Sequence, residues 1–133
     1  LNIKVKHREP WRPFATSILA EHQSEWFEFD QLSPFMLLAS LVKEEKKSRI
    51  PSIVHVDGTC RIQAVTRESN AKYYDLINEF KKITGLPLIL NTSFNLGGDP
   101  IVETPEDALE TFLKTEIDYL ILEDYVIEKN DKK

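Results

Sequence analysis

The longest regular pattern of apolar positions runs from Tyr73 through Leu76, Ile77 and Phe80 to Ile83, the three- and four-residue spacing of one helix face. Ser69 or Asn70 can cap its start, and Gly85 with Pro87 closes it, so a helix over 69–84 is predicted with this face in the core. Thr104-Pro105-Glu106-Asp107 opens a second helix with a cap, a proline at the first position and acids in the first turn. It runs over 104–114, with Ala108, Leu109, Phe112 and Leu113 as its buried stripe. Between the two helices, Leu86 to Leu90 is a short apolar run after a glycine, which suits a buried strand.

Elsewhere the period is two or is absent. Leu1, Ile3 and Val5 alternate with Asn2, Lys4 and Lys6, the pattern of a half-buried strand, and its continuation puts Lys6 and Arg8 on one face. In Glu9-Pro10-Trp11-Arg12-Pro13-Phe14 two prolines fix an extended course and the aromatics anchor it on the core. From Ser17 to Leu32 neither period dominates, and Ser17 to His22 allows a helical turn. Phe35 to Val42 is apolar almost throughout and fits a buried helix or a central strand; Pro51 and the β-type residues after it favour the strand. The charge run Lys43 to Arg49 reads as a solvated loop.

Ile53 to Val56 and Arg61 to Val65 flank Asp57-Gly58-Thr59-Cys60 as a hairpin or tight corner, with Ile62 and Ala64 on one face and Arg61, Gln63 and Val65 on the other. Tyr119 to Leu122 and Tyr125 to Ile127 are strands around Glu123-Asp124, and Asp131 to Lys133 form a frayed tail. The elements together predict one α/β domain over residues 1–133, a twisted mixed sheet carrying both helices. The sheet is mixed because the two hairpin-like connections join antiparallel strands.

Length and composition narrow the class. A chain of 133 residues with 41% hydrophobic content and no run able to span a bilayer is a domain with its own core, and no membrane partner is expected. One cysteine, Cys60, cannot form an internal disulfide, and no signal segment opens the chain, so a cytoplasmic address is the default. Opening at Leu1 directly into strand-like sequence, the chain reads as a domain cut from a longer protein. The net charge of −5 makes nucleic acid an improbable partner. The charge is uneven, however: Lys4, Lys6, Arg8 and Arg12 against Glu9 leave the first thirteen residues at +3 and the remainder at −8. A basic end on an acidic domain points to a local anion site.

The candidate chemistry sits at strand ends and turns. Asn91, Thr92, Ser93 and Asn95 follow the 86–90 strand, and Gly97-Gly98 behind them let a ligand approach the backbone, the arrangement found where open α/β sheets bind ligands. Lys6 and Arg8 offer one mobile ammonium and one planar fork toward the same region, suited to phosphate or carboxylate oxygens. Arg61, first in its strand beside a glycine turn, is placed to reach a bound anion. His55 between two valines reads as a face or core histidine, and without clustered His or Cys it gives no metal-site spacing. Asp57 is one carboxylate, weak grounds for Mg²⁺ held through phosphate. Cys60 lacks an evident base for nucleophilic work.

Three motifs carry a resemblance over nearly the whole chain: Lys-x-Arg-Glu-x-Trp-Arg-Pro-Phe-Ala at 6 to 15, His-Val-Asp-Gly-Thr-x-Arg-x-Gln-x-Val at 55 to 65, and Asn-Thr-Ser-Phe-Asn at 91 to 95. In this order they resemble the C-terminal domain of the nodulation-type O-carbamoyltransferases. That domain is similar in fold to the YrdC-like threonylcarbamoyl-adenylate synthases, whose Lys-x-Arg and Ser-x-Asn signatures match Lys6, Arg8, Ser93 and Asn95. The sequence departs from the pattern at Thr16, where a proline is expected.

The resemblance implies a domain that makes carbamoyl-adenylate from carbamoyl phosphate and ATP, with Mg²⁺ as a candidate second cofactor. An N-terminal transferase domain of the parent chain, which holds the family's metal, would then move the carbamoyl group to a substrate hydroxyl. Lys6, Arg8, Arg61, Ser93 and Asn95 are implied as catalytic, and Arg12, His55, Asp57, Gly58, Thr59, Asn91, Thr92, Gly97 and Gly98 as substrate-binding, with no metal ligand in this domain. Such chemistry needs cations and directed donors to gather two anions, more than it needs a nucleophile. Two other classes stay open. One is an RNA-binding module with Trp11 and Phe14 as its stacking platform, and the other is a noncatalytic docking domain.

Overall fold

Ala15–Leu19 forms the first strand, β1, and all five of its residues are buried in the computed structural model. The model describes residues 1–129, so the tail at Asp131 to Lys133 lies outside the described residues. The chain divides into two units: Pro13–Thr92, and Leu1–Arg12 together with Ser93 onward.

The first unit is built on a four-stranded sheet. After β1 come a 3₁₀ turn at Ala20–His22, the short α1 at Gln23–Trp26, β2 at Ala39–Leu41, α2 at Glu44–Lys47 and a 3₁₀ turn at Pro51–Ile53. Then follow β3 at Thr59–Val65, α3 at Ala71–Thr84 and β4 at Leu88–Asn91, in the spatial order β2-β3-β1-β4. β1 runs parallel to β3 and antiparallel to β4, while β2 is antiparallel to β3, so the mixed sheet predicted from sequence is present.

Alternation along the strands fills both faces. Ile18, Cys60, Ile62 and Leu88 join Phe14, Trp26, Phe27, Val42, Ile50 and Ile53 in one cluster. Leu19 and Val65 meet Ile77 of α3 on the other face, with Tyr73, Tyr74 and Ile89 packed around them. Burial of this kind contributes roughly 1.5–3 kcal/mol per large apolar side chain.

The second unit pairs α4, at Pro105–Lys114, with a hairpin of β5 (Tyr119–Leu122) and β6 (Tyr125–Glu128) turning at Glu123-Asp124, where Glu123 takes a φ of 53°. Ala108, Phe112 and Leu120 form its core. Both long helices start where the sequence placed them. The Asn70 side chain accepts from the Tyr73 amide, Gly85 ends α3 at a φ of 73°, and Thr104 and Asp107 close a reciprocal capping box.

Several expectations are overturned. Residues 1–6 form turns, not a strand: the amides of Val5 and Lys6 both donate to the Leu1 carbonyl, and the buried residues are Asn2, Val5 and Lys6, a helical-turn spacing. β1 went unread because Thr16 and Ser17 break its apolar run. Both are fully buried, and hydrogen bonds, one from Thr16 Oγ1 to the Ile89 carbonyl, satisfy them there. Phe35 to Val42 is no central strand; Ala39–Leu41 forms a short strand at the sheet edge, Val42 adds an isolated bridge to Phe27, and Phe35 and Leu37 are about four-fifths exposed. Of the hairpin and the tight corner that the sequence allowed at Ile53 to Val56, the structure has the corner, closed by the Gly58 amide on the His55 carbonyl. Of the α3 stripe only Ile77 is fully buried, while Leu76 and Ile83 are exposed; in α4, Leu113 is likewise exposed. No helix of the described residues is long and apolar enough to cross a membrane.

Candidate anion site

The chain at 5–8 has no ladder to hold it, so its geometry comes from side chains. Lys6 is almost wholly buried. Its Nζ lies 2.7 Å from the Ser93 carbonyl, 2.8 Å from the Asn95 carbonyl, and against Asn95 Oδ1 and Ser93 Oγ as well. Ser93 Oγ donates to Asn95 Oδ1 at 2.7 Å, and Asn95 Nδ2 donates to the Asp99 carbonyl at 2.7 Å. The ammonium therefore ties the whole Ser93-Phe94-Asn95 loop to residue 6. The Lys-x-Arg and Ser-x-Asn motifs, some ninety positions apart in sequence, meet here as one knot.

Backbone shape completes the knot. A Cβ on Gly97 would stand 2.5 Å from the Lys6 carbonyl oxygen, so glycine is required by close approach, and Gly98 takes a φ of 91°. His7, between the two cations, also sits in the left-handed region at a φ of 48°, a cost that a surrounding network has to sustain. Arg8 Nε donates to Asn2 Oδ1 at 2.8 Å.

Around these groups opens a cleft of about 390 Å³, lined by His7, Arg8, Arg12, Ser93, Asn95 and Gly97 among others. Glu9 is its one acidic wall, 3.9 Å from Arg12. Burial first, then the charges of Arg8 and Arg12, lower the pKa of Lys6; burial and Arg12 lower that of Arg8, with Glu9 opposing. A buried lysine and an arginine whose pKa values neighbouring cations lower, beside a polar cleft, favour an anion there.

The remaining residues called from sequence belong to the Pro13–Thr92 unit. At the corner, Asp57 Oδ1 accepts from the Thr59 amide at 3.0 Å and from Thr59 Oγ1 at 2.7 Å, which holds its carboxyl below the usual range. Because the Thr59 hydroxyl proton is spent on Asp57, His55 Nδ1, 3.2 Å away, is the donor in their contact. Gly58 turns at a φ of 80°. His55, Asp57, Gly58 and Thr59 thus brace one another. Among the described residues no group of three or more His, Cys, Asp or Glu stands together as a metal site, and Asp57, already accepting two hydrogen bonds, is a poor lone holder for Mg²⁺.

Asn91 ends β4 opposite Ala15, and β3 runs beside β1 with Ile62 opposite Thr16, so Arg61 and Asn91 lie on either side of Ala15, roughly 10 Å apart. The Asn91 amide donates to Ser17 Oγ at 2.7 Å and to Gln63 Oε1 at 2.9 Å. Ser17 donates to Gln63 and accepts from Tyr73, which closes a neutral network over three strands and α3. Thr92 follows directly. Phe14 is buried in the core while Trp11 is 76% exposed, so the two do not form a paired stacking platform. Burial pushes the Cys60 thiol up to about 12, which leaves it no nucleophilic role at neutral pH. Ser17, Gln63, Tyr73 and Asn2 were not foreseen as participants. Nothing in their spacing marks them, since each lies in a different element.

Residues 1–129 match the family model described as "Carbamoyltransferase C-terminus". The chain is 46% identical over 132 residues to Nodulation protein NolO of Bradyrhizobium diazoefficiens, covering 97% of this chain and 24% of that protein. It is also 46% identical to Nodulation protein NolNO of Sinorhizobium fredii, over 97% of this chain and 19% of that protein. To Nodulation protein U of Rhizobium tropici it is 39% identical over 95 residues, 71% of this chain and 16% of that one. The chain spans about a quarter or less of the length of these relatives.

Proposed function

From the premise that the chain belongs to the carbamoyltransferase C-terminus family, we propose that its basic cleft binds the phosphate groups of carbamoyl phosphate and ATP and serves formation of carbamoyl-adenylate. The observation that carries this reading is the gathering of Lys6, Arg8 and Arg12 around a glycine-bordered loop, with the pKa of Lys6 lowered by burial and by both arginines and that of Arg8 by burial and Arg12. Carbamoyl phosphate, its bond to phosphate cleaved by water, supplies carbamate and releases inorganic phosphate. A carbamate oxygen then forms a bond to the α-phosphorus of ATP as the bond to the β-phosphate oxygen breaks, and pyrophosphate leaves with its charge.

Such a step asks the protein to hold anions together and to absorb charge as it moves onto phosphate oxygens. Arg8 and Arg12 supply planar donors at the cleft. Lys6 fixes the Ser93-Asn95 loop and contributes its field from beneath. Arg61 and the corner residues enter by the resemblance of their motif alone. Transfer of the carbamoyl group to a hydroxyl falls, in this reading, to the rest of a longer parent protein of the kind its relatives represent, and the use of ATP puts the activity in the cytoplasm.

Titration calorimetry with carbamoyl phosphate, ATP and inorganic phosphate tests the site. A charge-assisted contact of roughly 1.5–3 kcal/mol means that Arg8→Ala weakens carbamoyl phosphate binding by about 10- to 150-fold. Wild-type protein that binds none of the three anions, or Arg8→Ala that binds them unchanged, overturns the proposal.

A further inference from the structure

We infer that Asn2 is a positioning residue of the anion cleft, one that sets the plane of the Arg8 guanidinium; its functional consequence rests on the reading of the cleft given above. Asn2 is only 8% exposed, and its side chain makes three hydrogen bonds. Nδ2 donates to the Pro10 carbonyl at 3.2 Å and to the Arg12 carbonyl at 2.7 Å, and Oδ1 accepts from Arg8 Nε at 2.8 Å. The two carbonyls belong to a proline-bounded segment with no strand partner, so a side chain replaces the ladder that would otherwise order it.

The chemistry at Arg8 is specific. An Arg held at Nε loses rotation about its terminal bonds, so its planar fork is presented in one orientation before any anion arrives. The same amide ties the Arg12 backbone, so one residue orders both arginines of the cleft. An amide suits this role because it offers two donors and an acceptor without charge. Aspartate keeps the acceptor but loses both donors, and its charge would neutralise Arg8.

Two measurements on the 133-residue chain test the inference. In the first, without ligand, the Arg8 Nε–H is observed by ¹⁵N spectroscopy: it is expected to exchange slowly with water and to show scalar coupling across the hydrogen bond to the Asn2 side chain. A freely exchanging Arg8 Nε–H overturns the inference whatever the anions do, and this reading survives even if Asn2→Ala fails to fold. In the second, carbamoyl phosphate affinity is measured through a double-mutant cycle. Asn2→Ala is expected to weaken binding about 10-fold, and Asn2→Ala combined with Arg8→Ala to be no weaker than Arg8→Ala alone, within roughly 2-fold. Losses that multiply show that Asn2 does not act through Arg8 and sink the inference. A protected Nε–H in a wild-type chain that binds no anion would instead leave Asn2 as the clamp on Arg8 and remove the proposed function alone.

Discussion

Each of the two units contains a polar knot, and the two knots are built on opposite principles. In the Pro13–Thr92 unit, Ser17, Gln63, Tyr73 and Asn91 are neutral: Ser17 gives one hydrogen bond and receives two, both N–H groups of Asn91 are spent, and Gln63 Nε2 reaches the Pro34 carbonyl. Each of the four side chains is tied to at least one other, so the network fastens three strands and α3 together. In the other unit, Lys6, Arg8 and Arg12 face one glutamate, and the cations raise the cost of charging one another. Hydrogen bonds are made there too, around a buried lysine and the two arginines of the cleft. The neutral cluster reads as a structural fastening, and the cationic one is the candidate for binding.

The largest effect should come from removing the centre of the charged knot. Lys6→Met keeps the bulk of the stem but leaves the Ser93 and Asn95 oxygens without their shared donor, so the loop over Gly97 loosens and a cation is lost together. Carbamoyl phosphate affinity should fall by about 10- to 150-fold and stability by about 1–3 kcal/mol, read by calorimetry and by urea unfolding. If Lys6→Met binds as the wild type does, the charged knot is a fastening like the other, and the distinction collapses.

The converse substitution sharpens the contrast. Ser17→Ala removes, at a fully buried residue, the acceptor of the Tyr73 hydroxyl and of one Asn91 N–H, and should cost about 1–3 kcal/mol of stability while anion affinity stays within roughly 2-fold. Anion binding that falls in step with stability in this variant would show that the neutral network also serves the site.

The two knots were unequally legible in the sequence. The charged one could be read because its motifs are made of residue types with few uses together: a Lys-x-Arg near prolines, and a Ser-x-Asn before two glycines. Their meeting at Lys6 Nζ is in the structure as the motifs implied, though the strand expected to carry them is absent. Alternation of Leu1, Ile3 and Val5 looked like a pleat, yet a strand needs a partner, and the Val5 and Lys6 amides turn back to Leu1 instead. The neutral knot was illegible because buried Thr16 and Ser17 read as polar loop residues in one dimension. Only the cross-strand neighbours Ile89, Gln63 and Asn91 make their burial tolerable. The helices were legible at their ends, where Asn70, Gly85 and Thr104 act locally. Their faces were less so: Leu76 and Ile83 fit the stripe by spacing, but burial depends on what packs against it.

The smallest effect, and the most discriminating between the knots, is on pH dependence. Burial and the two arginines lower the pKa of Lys6 below its ordinary 10.5. Wherever Lys6 is charged, the cost of holding that charge in the native state acts against folding. As pH rises through the lowered value the native protein releases the proton first, while the unfolded chain holds it up to about 10.5. This contribution to stability therefore increases with pH across that window. Anion affinity runs the other way, because the same deprotonation removes a cation from the cleft. Tyr74 and Tyr119 do not confuse the measurement at its lower edge, since hydrogen bonds to Glu21 and Glu128 raise their pKa values above 10.0. The comparison to make is wild type against Lys6→Met in a series of rising pH that ends at the ordinary value of 10.5. The wild type should lose phosphate affinity earlier in that range than the variant, while the stability gap between them shifts in favour of the wild type. Parallel curves for the two proteins would mean that Lys6 does not titrate where its surroundings place it, and that the charge beneath the cleft is not the one that holds the anion.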